Sequence, residues 1–338
     1  MAHLIATTAD GRNAIAYAQS GGVPWHGLGQ ALTAGADIET WRREAGLDFD
    51  VLNAPVQYTN GTLHTFEGRN VLYRSDTNKA LSIVSDKYRV VQPSEVLDFF
   101  KKLTESAGFE LETAGVLDEG RKVWALAKVN DGAPIIGQDV VRPYVLLATS
   151  FDATLSTTAK WTSIRTVCNN TLTMAAGGTQ GQSQTETDKT QGAVVQSVRV
   201  THSERFDAVA VRQQLGIVLT AWDRFQVNAR LLAEKELSPE DADELTYALI
   251  EPTINPPKGQ PFPDVRKTRN YRRIIELFSG EAIGYDLAGG NTAWSWVNSV
   301  TQLVDHERGR SASSRINSAW FGTGEGLKNK AFELALAA

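Results

Sequence analysis

Hydrophobic positions along this chain change their period twice. The first 35 residues, rich in Gly and Ala, hold no sustained period and read as an extended arm or loop. A short helix over 38–46, stopped by Gly46, completes an N-terminal unit spanning 1–47. From residue 48 apolar and polar positions alternate, the mark of half-buried strands. "FDVLNAPVQYTNGTLHTF" sets Asn60-Gly61 between two such runs, the strongest short-range hairpin signal. "RNVLYRSD" and "ALSIVSDKYRVV" follow across the polar turn "SDTNK". In "QPSEVLDFFKKLTESAG" the period becomes helical: Ser94 or Pro93 opens, Val96, Phe99, Phe100 and Leu103 share one face, and Gly108 stops the run. Strands then return as "FELETAGVLDEG" and "RKVWALAKVN", joined through "DEGR", and as the pair "RPYVLLATSFD" and "ATLSTTAKWTSIRTVCNN".

The second change comes after 172. Residues 176–192 carry almost no apolar side chain and read as a flexible linker. Beyond them the pattern is helical, through "ERFDAVAVRQQLGIVLTAWDRFQVNARLLAEKEL", "SPEDADELTYALI" with a Ser N-cap and Pro at the first position, "DVRKTRNYRRIIELFSG" and "NTAWSWVNSVTQLVDHERG". The order of elements predicts an α+β fold. A curved antiparallel sheet with a packed amphipathic helix fills 48–175, a linker 176–192, and a mainly helical region 193–338.

Composition narrows the class. With 42% hydrophobic and 22% charged residues in 338, the chain can bury a core without disulfides or metal. One cysteine, Cys168, cannot close an internal disulfide, which suits a reducing cytoplasmic compartment. The opening residues lack a secretory pattern, and no uninterrupted apolar run is long enough to span a membrane. A net charge of −5 argues against a protein coated in positive charge but leaves room for a local basic groove.

Catalytic and cofactor signatures are few. Cys168 in "WTSIRTVCNNTL" has neither a recognisable base nor a second thiol and reads as a core residue, with Asn169 and Asn170 as turn-formers. No HxxxH or HExxH spacing offers a metal site, and no cofactor is expected. "GTGEGLKNK" lacks the ending of a phosphate loop and no strand precedes it. The local anomaly is basic: Arg266, Lys267, Arg269, Arg272 and Arg273 with Tyr271 between them. On one continuous helix Arg266, Arg269 and Arg273 share a face and could meet a nucleic-acid backbone, with Tyr271 stacking on a base. The competing reading is a solvated helix start, or salt bridges to the acidic "EDADE" segment. Lys160 and Arg165 could form a second binding rim, and Arg69, Arg74, Lys79, Lys87 and Arg89 a basic sheet face. Trp25 and His26 in "PWHGLG", and Trp294 and Trp296 in "TAWSWVN", are candidate oligomer contacts.

"PWHGLG", "YRVVQPSEVLDFF", "ETAGVLDEGRKVWALAKV", "SIRTVCNNTL" and "GNTAWSWVNSVTQLVDHERG" together resemble the phage/plasmid-like proteins, a domain-of-unknown-function family of phages, plasmids and bacteria. The motifs run from about residue 20 to 310. The resemblance implies a mobile-element setting, and the order of strands and helix is similar to the core of ring-forming single-strand annealing proteins. The expectation is a non-enzymatic, homo-oligomeric protein that binds and anneals single-stranded DNA through a basic groove in recombination or replication. The alternatives are a self-assembling scaffold or host-inhibitor protein that binds no nucleic acid, and an enzyme built on Cys168, His202 or His306.

Overall fold

The computed structural model describes residues 6–8, 10–19, 29–165, 167, 170–173, 197–203, 205–207, 209–211, 219–256, 258–309, 315, 318–320 and 322–338. The large sheet is built from β1 (Ile15–Ala18), β2 (Gln30–Leu32), β6 (Glu110–Leu117), β7 (Lys122–Lys128), β8 (Ala133–Ile136), β9 (Asp139–Ser150), β10 (Thr157–Arg165), β11 (Asn170–Thr173) and β12 (Ser197–Val200). Its order is β11-β10-β9-β7-β6-β1-β2, with β12 also on β10 and β8 on β9. Every pairing is antiparallel except β1 with β2. A separate three-stranded sheet holds β3 (Val51–Thr59), β4 (Leu63–Arg74) and β5 (Ala80–Ser85). The fold class expected from the hydrophobic pattern is therefore present, with antiparallel sheets followed by a helical C-terminal region.

The N-terminal unit is not a free arm. Ala16 pairs with both Ala114 and Gln30, so β1 and β2 close one end of the large sheet. The Gly/Ala-rich composition hid this because Ala14, Ile15 and Ala16 are fully buried: small side chains here let the strand lie flush against β6. Helix α1 (Ile38–Glu44) is capped by Asp37, and Gly46 turns the chain at φ +72°.

Helix α2 (Pro93–Ala107) packs on β7. Its N-cap is Gln92, one residue before Pro93, in a capping box with Glu95, and Gly108 ends it at φ +70°. Val96, Phe99 and Phe100 are sealed against the sheet. They meet the face formed by Val123, Ala125 and Ala127 of β7 and Val145 and Leu147 of β9. The opposite face carries a second apolar cluster, with Ile15, Leu117, Trp124, Leu126, Tyr144, Leu146 and Ala148. Both faces are covered, so "VWALA" and "YVLLATS" are continuous apolar runs rather than alternating ones.

The C-terminal region contains α3 (Leu219–Glu234), α4 (Pro239–Ile250), α5 (Arg269–Glu276), α6 (Ala293–Gln302) and α7 (Thr323–Ala337). All ten residues of α6 are buried, as a helix surrounded on every side requires. The apolar core draws on residues from Ala6 to Ala335. Among the described residues no helix is long and apolar enough to cross a membrane.

One partly buried acid sits in this sheet. The Tyr144 hydroxyl donates to both Glu112 carboxylate oxygens, at 2.8 and 3.0 Å. Burial nevertheless raises the Glu112 pKa above its ordinary value. At neutral pH the folded state therefore carries a penalty for the ionised carboxyl. As pH falls through the raised value the folded state binds the proton first, so this group's contribution to stability rises. Glu112→Gln, which keeps an acceptor for Tyr144, is expected to raise the urea midpoint at pH 7. That gain disappears below the ordinary carboxylate range.

Candidate anion-binding cleft

The segment read from sequence as one basic helix breaks in the middle. Val265–Lys267 is a single 3₁₀ turn, Thr268 is extended at φ −69° and ψ 149°, and α5 begins only at Arg269. Arg266 therefore does not share a helical face with Arg269 and Arg273. Its Nε and Nη2 donate to Asp243 of α4 at 3.1 and 2.5 Å, and its guanidinium lies 4.9 Å from the Tyr247 ring. The acidic "EDADE" segment is thus the partner of Arg266. Tyr271 is 4% exposed and its hydroxyl also donates to Asp243, so its ring is not available to stack on a base.

Arg273 is likewise occupied. Its Nε and Nη2 form a fork onto Glu307 at 2.6 and 3.1 Å, and Nη1 donates to Glu276 at 3.0 Å and to Glu281. Glu281 and Glu307 each come from a π turn, Leu277–Glu281 after α5 and Leu303–Glu307 after α6. The hydrogen bond from Glu307, then those from Glu281 and Glu276, hold the Arg273 guanidinium pKa above its ordinary value. This knot fixes the end of α6 beside the last turn of α5.

Between the two ends lies a cleft of about 480 Å³ lined by Lys267, Arg269, Asn270, Arg272, Arg273, Glu276, Leu303, Glu307, Arg308 and Gly309. Both lining acids are engaged with Arg273, which leaves Lys267, Arg269, Arg272 and Arg308 as its basic edge. Lys267 reaches Asp264 at 3.2 Å, an exposed pair of little energetic weight. Arg272 donates to the Lys267 carbonyl at 2.6 Å, which orients its guanidinium without neutralising it. Arg269, Arg272 and Arg308 make no ion pair with any described residue. The N-terminus of α5, where the Thr268 hydroxyl caps the Tyr271 N–H, adds the partial positive charge of its first turn. Arg308 was not singled out in the sequence; the only signal for it was the Glu-Arg-Gly ending of the α6 pattern.

The other expected sites are placed differently. Lys160 is 3% exposed; its Nζ donates to Glu325 of α7 at 2.7 Å and to the Trp320 carbonyl. Burial lowers the Lys160 pKa, and Glu325 offsets part of that. Arg165 is 2% exposed, with Nε donating to Asp139 at 2.7 Å and its two Nη groups to the carbonyls of Ile283 and Gly284 at 3.0 and 2.7 Å. Neither is a binding rim: both tie β10 to the helical region from inside. Trp294 and Trp296 are not oligomer contacts either. The Trp294 Nε1 donates to Asp139 at 2.8 Å and the Trp296 Nε1 to Thr246 of α4 at 2.9 Å, both fully buried. The expected basic sheet face loses two of its members, since Arg74 is buried against Phe49 and Asp76 while Lys79 pairs with Glu119; Arg69, Lys87 and Arg89 stay exposed. Trp25, His26, Cys168, Asn169 and residues 176–192 lie outside the described residues. The side chain of Asn170 is likewise undescribed. His202 donates to the Leu155 carbonyl at 2.9 Å and stacks on Tyr88, while His306 lies within the π turn after α6. Among the described residues no group of three or more His, Cys, Asp or Glu could hold a metal ion.

Gly284 shows how tightly the Arg165 anchor is built. It sits at φ +70°, and an added Cβ would lie 2.8 Å from a Val167 methyl and 3.1 Å from the Arg165 guanidinium. Gly284→Ala is expected to cost about 1–3 kcal/mol, read as a lowered denaturant midpoint with an unchanged slope.

Comparison with known proteins adds kinship. A family described as a domain of unknown function (DUF932) matches residues 80–320. That span takes in α2, most of the large sheet and the cleft. No curated protein and no solved structure matches the chain.

Proposed function

We propose that this chain, which belongs to the DUF932 family, binds nucleic-acid phosphates in its basic cleft without catalysis. Three guanidinium groups, on Arg269, Arg272 and Arg308, face one cleft without acidic partners in a chain of net charge −5. A guanidinium fork matches phosphate oxygens, and a helix N-terminus beside it favours the same charge. The proposed ligand is a single strand: a cleft of about 480 Å³ is of a size to take one phosphate with its sugar. With Tyr271 and the β10 cations committed inside the fold, contacts are to the backbone, and base identity matters little. Holding and annealing single-stranded DNA in phage- or plasmid-type recombination is the role that fits such a contact and the resemblance to phage/plasmid-like proteins.

The test is a fluorescence-anisotropy titration of a labelled oligothymidylate at two salt concentrations. Three phosphate contacts predict that log affinity falls with log salt at a slope of about −2. A duplex of the same length should bind more weakly. Affinity that is absent at low salt, or indifferent to salt, would refute the proposal.

A further inference from the structure

The small sheet β3–β5 has one face in the core and one in solvent. Val51, Leu72, Arg74 and Val84 form the inner side, each no more than 5% exposed. The register fixes what stands on the other side. Leu52 lies opposite Tyr73, Ala54 opposite Val71, and Val71 opposite Ile83. This outer face has five apolar side chains in adjoining rows and no polar one among them. Leu52 is 41% exposed and Ile83 62%, the others partly so. Beyond it the β3–β4 ribbon continues with Tyr58, Leu63 and Phe66 exposed, and a two-stranded ribbon without packing is marginal by itself. Clustered apolar exposure of this kind marks an interface.

The charges at the two ends of the face say what covers it. Asp50 precedes β3 in the same alternation as Leu52 and Ala54, and its carbonyl accepts from Ser75 at 2.9 Å, which continues the ladder. Arg69, opposite Ser85, stands at the other end in line with Val71 and Tyr73. Both are exposed and neither makes an ion pair with any described residue. Six residues of strand separate their rows, about 20 Å at ~3.3 Å per residue, so they do not meet within one protomer. A two-fold axis through the middle of the face brings them together twice. It lays the Leu52–Tyr73 row of one copy over the Val71–Ile83 row of the other, and Asp50 of each copy over Arg69 of its mate.

We propose that the outer face of β3–β5 is a self-association surface, occupied by a second copy of this chain packed across a two-fold axis with Asp50 against Arg69. The two sheets would stack about 10 Å apart, as aligned sheets do. The partner also supplies the packing that the β3–β4 ribbon lacks. This surface lies on elements other than those of the cleft, so it stands or falls independently of nucleic-acid binding.

The experiment is light scattering coupled to size exclusion, with sedimentation across the micromolar range, on the full chain. The wild type is expected as a dimer or an even multiple. Ile83→Lys, at a solvated position, is expected to lower the mass to half or less while circular dichroism and thermal midpoint stay at wild-type values. Asp50→Arg and Arg69→Asp should each weaken association by tenfold or more, and the combined Asp50→Arg, Arg69→Asp variant should restore it. That rescue is one a merely structural role would not produce. A wild type that is monomeric throughout overturns the proposal. So does an Ile83→Lys variant of unchanged mass, or a double charge variant no better than the singles.

Discussion

Replacing Asp139 by Ala is expected to destabilise the protein by about 3–5 kcal/mol, because it removes the carboxylate that serves a buried cation. Asp139 is completely buried and uses both oxygens, one for Arg165 and one for the indole of Trp294. Its loss leaves Arg165, 2% exposed, with the Ile283 and Gly284 carbonyls but without that counter-charge. It also strands the Trp294 N–H in an apolar setting. Asp139→Asn keeps an acceptor in place and should cost less than Ala. The pair behaves as a unit, so Arg165→Met combined with Asp139→Ala should cost clearly less than the sum of the two single changes. Urea unfolding of the four proteins in this cycle measures the coupling. A loss under about 1 kcal/mol for Asp139→Ala would mean that the network is solvated in solution.

Trp296→Ala is expected to be comparably severe, about 3–5 kcal/mol, through the cavity left in the middle of the helical region. Trp296 has no exposed surface, and its N–H is bonded to the equally buried Thr246 hydroxyl. Thermal midpoint should fall by roughly 10 °C, on the scale of 2–4 °C per kcal/mol for a chain of this class. Trp296→Phe keeps most of the volume and should fall in between. Two readings of this tryptophan separate here. A core residue loses stability on truncation at every protein concentration. An oligomer contact would instead lose mass in light scattering while the protomer kept its melting point.

The local elements were legible because local chemistry sets them. Asn60-Gly61 placed the β3–β4 turn, Pro93 and Gly108 bounded α2, and Ser238 with Pro239 opened α4. "DEGR" marked the β6–β7 connection. The candidate site was legible only in part, and the reason is range. Whether a lysine or arginine is free depends on acids far away in sequence. Lys160 meets Glu325 and Arg165 meets Asp139, neither of which a local window contains. Arg273 shows the same effect with Glu307, whereas the pairing of Arg266 with Asp243 follows the reading of salt bridges to "EDADE" that the sequence leaves open. The break at Thr268 was masked because "DVRKTRNYRR" fits a helical period throughout. Thr is also a good N-cap, and here it starts a helix in the middle of that apparent run. Tryptophans 294 and 296 sit on different sides of α6, which in a solvated helix would leave one for a partner subunit. In α6 both sides are core, because α3, α5, α7 and β11 pack around it and Thr246 of α4 bonds the Trp296 indole.

What remains after these internal pairings is a short basic edge instead of a long groove. Arg269, Arg272 and Arg308 are the cations that the fold leaves available around one cleft. The most direct measurement is oligothymidylate binding at low salt by wild type and by the Arg269→Glu, Arg272→Glu double variant, both shown to be folded by circular dichroism. Both positions are exposed, so the fold should tolerate the change. The expected result is a loss of affinity of at least about a hundredfold, or some 2.7 kcal/mol, with a shallower salt dependence. Equal affinity and equal salt slope for the two proteins would contradict the assignment of the cleft.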